Sequence, residues 1–375
     1  MKKLEADDDR GGEGKKRDEV VVRSSTNESH LLDIVPFHVL QMIMEFCFGI
    51  EYLNFRATCK LCHLAAPITV FETAYPLISP RLMVFEEHRG TLITFTDPMF
   101  GDKYFKKVSP KFFSNNRRIL CSRYGWLLMF IDDLVFFINP FTRNIVKLPQ
   151  VPHLESFCFS APPTSTECMV VGLSTSCSWN VYIHFVGREP SWRRFRLDFG
   201  DVSSHFSFST FCGQEVYALR YEGVLEVFRG IHNSNNITCE TIVDESPRGH
   251  FRGCAEYFVA KCDGHLLLVV VGELGGSDEV FELKDCKWEK MDGLGRHVIY
   301  ICGATCIYMD TKTPELENKI FFPRLHLKNG KIVFYSLETC RYHTLNGGNM
   351  EENMSYFFRT EEHMDTRVWI EPSWS

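Results

Sequence analysis

The sequence predicts two folding units in one chain: a small all-α unit near the N-terminus, and a large all-β domain built as a six-bladed β-propeller. Three observations carry that reading. Residues 31–67 hold a dense apolar helical pattern that opens on a proline. From Arg81 onward, helical periodicity gives way to short apolar runs separated by Gly, Pro, Asn and Asp, the mark of an all-β domain. Within that region Gly125, Gly213, Gly264 and Gly330 each open a strand-like run. Their separations fit one or two units of roughly 40–50 residues, the size of a propeller blade. Residues 81–375 hold about six such units; a pair of large β-sandwiches is the competing architecture.

Composition bounds the function. The 375 residues are 45% apolar and 24% charged, with a net charge of −7, as in ordinary globular chains. No extended basic patch interrupts the acidic balance, so nucleic acid is not expected as the main partner. The 32 phenylalanines favour strands over helices. Fifteen cysteines are scattered, and the odd number argues against a complete internal disulfide framework. Residues 1–20 carry many charges and no apolar segment, so a cytosolic or nuclear chain with reduced thiols is expected. The longest apolar stretch, Leu127 to Ile138, is broken by Asp132-Asp133 and is too short to span a membrane.

Residues 1–30 are charged and nearly free of large apolar groups, so a disordered tail is expected. Lys15-Lys16-Arg17 reads as a solvated part of it or as a short nuclear signal. The first helix starts with Pro36 at a position where its missing N–H costs nothing. Nine apolar residues follow by Phe48, and His38, Gln41 and Glu45 share one narrow polar stripe. Gly49 is expected to close it. A second helix is expected from about Glu51, and a third from Lys60 to Ala66, ending before Pro67. A unit of about 37 residues is too small to bury its own core fully. Part of its apolar surface therefore awaits another surface.

Residues 68–80, with Pro76 and Pro80, read as a linker. The clearest strands beyond it are Trp126 to Ile131, Leu134 to Ile138, Cys168 to Leu173, Val181 to Val186, Glu215 to Leu219, Leu225 to Phe228, Leu266 to Val271, Val298 to Ile301 and Ile332 to Tyr335. Aromatic-charged segments recur after strand pairs, at Ser191 to Phe195, Lys287 to Met291 and Arg341 to Leu345.

Two stretches resemble a known family. Val35-Pro36, Leu40, Ile43, Leu53 and Thr58-Cys59-Lys60 are similar in order and spacing to the F-box, whose pattern runs Leu-Pro, apolar turns, then Val-Cys-Lys-x-Trp. Val35 stands for Leu, Thr58 for Val, and Cys62 for the Trp. The last change removes an aromatic anchor and weakens the expected adaptor affinity. The second stretch runs from Gly125-Trp126-Leu127 to Asn139-Pro140-Phe141-Thr142-Arg143, then Leu148-Pro149. It resembles a blade found after the F-box in a large plant family with kelch-like propellers. Residues 150–260 match only loosely.

The resemblance implies the substrate-recognition subunit of an SCF-type ubiquitin ligase, non-catalytic itself. It would bind an Skp-type adaptor, through it a cullin scaffold, and a target protein on the propeller. Val35, Pro36, Val39, Leu40, Ile43, Thr58, Cys59 and Lys60 are the expected adaptor contacts, with Leu53 and Leu61 holding the helices together. The alternatives are a helical cap on the β domain, or a non-ligase propeller scaffold with a degenerate F-box.

Other chemistry is weakly supported. Cys59-Lys60-Leu61-Cys62-His63 fits the haem-attachment spacing, but it lies inside the predicted helices of a chain without an export signal. Cys302 and Cys306 share a strand-like face, which packing explains as well as zinc does. No phosphate loop and no Gly-x-Ser-x-Gly elbow is present. His184, His265 and His297 read as structural. No cofactor and no metal is expected.

Overall fold

The structure, a computed structural model, describes residues 35–45, 55–66, 79–86, 92–98, 103–107, most of 117–344, and 367–373. It divides into two compact units, Met1–Ala74 and Tyr75–Ser375. The tail expected over 1–30, the helix end at Gly49, the helix start at Glu51 and most of the linker lie outside the described residues.

In the first unit, helix α1 spans Phe37–Glu45. It starts directly after Pro36, whose carbonyl accepts from the Val39 and Leu40 amides at 2.9 and 3.2 Å. Residues 55–58 are helical, and helix α2 spans Lys60–Ala65. Both ends of α2 are closed by side chains. Cys59 sits at its N-cap and its Sγ accepts from the Cys62 amide at 3.4 Å, replacing the oxygen that usually serves there. Arg56 donates to the carbonyl of His63 at 3.2 Å and to that of Ala66, and lies 2.9 Å from the His63 ring. Those carbonyls would otherwise lack helical partners.

The second unit is a propeller of six sheets. Blade 1 holds β1 (Arg81–Glu86), β2 (Leu92–Thr96) and β3 (Lys103–Lys107). Blade 2 holds β4 (Arg118–Arg123), β5 (Trp126–Ile131), β6 (Leu134–Ile138) and β7 (Ile145–Lys147). Blade 3 holds β8 (Ser156–Phe159), β9 (Met169–Ser174), β10 (Trp179–Phe185) and β11 (Arg193–Leu197). Blade 4 holds β12 (Phe206–Cys212), β13 (Glu215–Arg220), β14 (Leu225–Arg229) and β15 (Thr238–Val243). Blade 5 holds β16 (Glu256–Cys262), β17 (His265–Val271), β18 (Glu279–Lys284) and β19 (Lys287–Lys290). Blade 6 holds β20 (His297–Cys302), β21 (Thr305–Asp310), β22 (Lys319–Leu325), β23 (Ile332–Ser336) and β24 (Arg341–Thr344). The last strand, β25 (Arg367–Ile370), returns to blade 1 and pairs antiparallel with β1. The innermost ring is β25, β4, β8, β12, β16 and β21.

Every apolar run read as a strand from sequence is a strand. The reason is packing: central strands are covered on both faces, and all six residues of β9 are buried. The core is a ring of apolar layers between neighbouring blades, such as Trp126, Phe137 and Phe159 between blades 2 and 3. The aromatic-charged segments form the outermost strands β11, β19 and β24, where charge protects an open edge from pairing with other chains.

The glycine repeat has a geometric cause. Gly125, Gly213 and Gly264 lie at φ +76°, +64° and +91° in the turns between first and second strands of blades 2, 4 and 5. Blade 3 joins those strands by the longer loop 160–168, so its glycine is missing and the spacing doubles. Blade 6 departs from the four-stranded plan. Its chain enters at β20, turns inward to β21, passes a 3-10 turn at Pro314–Leu316, and returns as β22 parallel to β20. The Asp132-Asp133 pair that breaks the apolar stretch is the β5–β6 turn, with both residues at positive φ, as a two-residue hairpin of type I′ requires.

The ends of the propeller are latched. Trp369 is fully buried, its ring 4.8 Å from Tyr300 and 6.2 Å from Phe321 of blade 6. Beyond β25, Glu371 accepts from the Tyr124 amide, and the Ser373 carbonyl accepts from Asn139 Nδ2 at 3.2 Å. A Cβ on Gly125 would stand 2.1 Å from the Ser373 Cβ, so this turn needs glycine for clearance as well as for φ.

Asn139 explains the Asn-Pro motif. It is fully buried, and its Oδ1 accepts from the amides of Phe141 and Thr142 at 2.8 and 2.9 Å. That is an Asx turn, tied by its other amide atom to the C-terminal segment. Asn139→Ala strands these buried groups, at a cost of about 2–3 kcal/mol. The expected result is a melting temperature lower by roughly 5–10 °C, measured by thermal denaturation. An unchanged value would assign the turn to Pro140 and its neighbours alone.

Candidate functional site

The first unit buries one face of α1 and leaves large apolar side chains exposed elsewhere around the helix. Leu40 and Met44, four residues apart, point inward. Leu40 packs on Cys62 and Ala65, with Val35, Phe55, Cys59 and Leu61 around them. Phe37, Met42 and Ile43 on α1 are 43%, 57% and 40% exposed, and Leu64 on α2 is 64% exposed. Four large apolar side chains thus face water on this small unit.

The expected contact residues divide accordingly. Pro36, Ile43, Thr58 and Lys60 are exposed, and Val35, Val39 and Cys59 are half-buried. Leu40 departs from the expectation. It is fully enclosed in the unit's own core, so it supports the surface rather than forming it. Leu61 packs on that core as expected, while Leu53 lies outside the described residues. Sequence reasoning missed Phe37, Met42 and Leu64 as surface. Helical spacing places Phe37 on the flank of Leu40, but an all-round apolar helix does not rank its faces.

Cys62, at the position of the F-box tryptophan, is fully buried against Leu40 and Ala65. An indole there would require the unit to open. The haem-like spacing is absorbed by structure: Cys59 caps α2, Cys62 is core, and His63 meets Arg56.

Among the described residues, no three His, Cys, Asp or Glu side chains stand together as metal ligands. Cys121, Cys158 and Cys306 line the propeller channel. Burial pushes the Cys158 thiol up to about 12, and raises Cys121 and Cys306 strongly. They stay protonated near neutral pH, and a thiol is not the nucleophile that a thiolate is. His184 lies against Trp192 and the Ser191 carbonyl, His265 beside Glu282, and His297 on Tyr308. Thr175, His205 and Glu155 come together, but Thr175 Oγ1 and Glu155 Oε1 meet the same His205 Nδ1, at 3.1 and 3.2 Å. A proton relay needs both ring nitrogens. Among the described residues no helix is long and apolar enough to cross a membrane.

The family described as KIB1-4 beta-propeller matches residues 93–343. The Arabidopsis thaliana protein named "F-box protein At1g49360" is 26% identical over 306 residues, covering 76% of this chain and 62% of that one. This chain thus spans about three-fifths of that relative's length. A second Arabidopsis thaliana relative, "F-box protein At4g00893", is 24% identical over 71% of this chain and 70% of its own. A third, "F-box/kelch-repeat protein At3g18720", is 36% identical over 22% of each chain.

Proposed function

Because this chain belongs to the KIB1-4 beta-propeller family, whose match covers most of its propeller, we propose that it is the substrate-recognition subunit of an SCF-type ubiquitin ligase. The first unit takes an Skp-type adaptor and through it a cullin scaffold, and the propeller takes the target protein. The observation that carries this reading is that this small unit leaves Phe37, Met42, Ile43 and Leu64 exposed, together with the F-box-like residues Pro36, Thr58 and Lys60, which are exposed too. The names of the relatives support it.

The chain makes and breaks no bonds in this role. It supplies proximity. Tethering a target beside the charged ubiquitin carrier raises their mutual concentration, to the order of mM for a short flexible link. Val35, Val39 and Cys59 complete the adaptor contact from the half-buried margin, and Leu40 holds α1 in place beneath it. The chain would act in the cytosol or nucleus.

A second reading, a propeller scaffold that has lost productive ligase assembly, draws on Cys62. A small buried thiol where the F-box pattern has an aromatic leaves the adaptor one anchor short. Mixing the purified intact chain with an Skp-type adaptor and a cullin scaffold separates the two readings. Co-elution of all three in size-exclusion chromatography is expected. An adaptor-cullin peak that never takes up the chain would favour the scaffold.

A further inference from the structure

The channel of the propeller holds an open-sided cavity of about 80 Å³, lined by the innermost strands β4, β8, β12, β16 and β21 and by Glu371. A water needs roughly 10–15 Å³ of such space, so the cavity takes several waters or one small polyatomic ion, and nothing of drug size. Its wall is braced by bonds between blades. The Ser122 amide donates to Thr305 Oγ1 at 2.8 Å, and Ser156 and Ser209 share a hydroxyl bond of 2.8 Å.

Two cations line this cavity, Arg123 from β4 and Lys261 from β16. Arg123 donates to Thr210 Oγ1 at 3.4 Å and lies over the Tyr124 ring at 5.0 Å. Neither cation has a carboxylate within salt-bridge reach among the described residues. Both act on the Cys212 thiol, pulling its pKa down against the burial that raises it, which puts them in one neighbourhood. Glu215, also near that thiol, is engaged by Arg229 at 2.7 Å. The carboxylate that does line the cavity, Glu371, is held by the Tyr124 amide. Burial raises its pKa, while the Tyr124 amide and the nearby Arg123 charge act in the opposite direction. Ser122 also lines the cavity, but its hydroxyl is covered rather than open to it. It is 2% exposed, and its Oγ has no hydrogen-bond partner. A buried hydroxyl without a partner is costly and rare.

We infer that the channel is a binding site for a small oxyanion, a phosphate or a carboxylate, held by Arg123 and Lys261 with Thr210 as a hydroxyl partner. Arg123 suits the planar, two-pronged geometry of such groups, and Lys261 adds a compact point charge. The anion comes either as a phosphate group or as a carboxyl group.

The test is calorimetric titration of the intact chain with inorganic phosphate, and separately with acetate, at ionic strength matched with chloride. Lys261→Met and Arg123→Gln are titrated beside it, with circular dichroism and melting on each. Saturable one-site binding of phosphate or of acetate is expected, weakened at least tenfold in Lys261→Met and further in Arg123→Gln. The probe that saturates identifies the source. Should Arg123→Gln fail to fold, Lys261→Met decides alone. Absence of saturable binding by both probes overturns the inference, as does binding that Lys261→Met leaves unchanged.

Discussion

Removing residues 367–375 is expected to unfold the propeller or drive it into aggregates. Those residues supply β25, the inner strand of blade 1, and with it three side chains exposed by 2% or less: Val368, Trp369 and Ile370. At roughly 1.5–3 kcal/mol for each buried apolar side chain, the loss rivals the 5–15 kcal/mol of net stability typical of a domain. Two further effects act in the same direction. The inner edge of β1, paired with β25 from Arg81 to Val84, becomes an open template for other strands. The bonds from Tyr124 and Asn139 to Glu371 and Ser373 are also lost. Solubility after expression, followed by thermal melting, reads the outcome. A truncated chain that stays soluble and melts within a few degrees of the parent would show that blade 1 closes without β25.

Much of this architecture is legible because blades repeat local chemistry. An apolar run flanked by turn residues means the same thing in each sheet, and the glycines at the hairpin turns keep approximate time. The motif Asn139-Pro140 also reads locally, since its Asx turn needs no distant partner. What sequence did not disclose is long-range or ambiguous. The extra inward strand β21 follows an ordinary hairpin, and nothing in Thr305 to Asp310 distinguishes it from β23. In α1, Leu40 and Ile43 are both apolar and sit on adjacent flanks, so their separation into core and surface depends on where Cys62 and Ala65 come to rest. The channel lining is harder still. Ser122, Thr210, Lys261, Thr305 and Glu371 come from five strands or strand ends spread over most of the chain, and each alone is an unremarkable polar residue.

The central claim is that the exposed apolar side chains of the first unit dock an adaptor, and Ile43 tests it most directly. Its side chain is 40% exposed, on a helix whose inner face is already filled by Leu40 and Met44. Substitution there should spare the unit's core. Burying an isoleucine against a partner contributes roughly 1.5–3 kcal/mol. An aspartate in its place also forces a carboxylate out of water or into its protonated form. Together these correspond to a loss of at least ~100-fold in affinity, since each 1.4 kcal/mol is about tenfold. The measurement is a titration of labelled Skp-type adaptor with the intact chain and with Ile43→Asp, with melting curves of both proteins. The account predicts saturable binding by the parent, a loss of at least ~100-fold in the variant, and superimposable melting. Equal binding by parent and variant, or a variant whose propeller melts early, would contradict it.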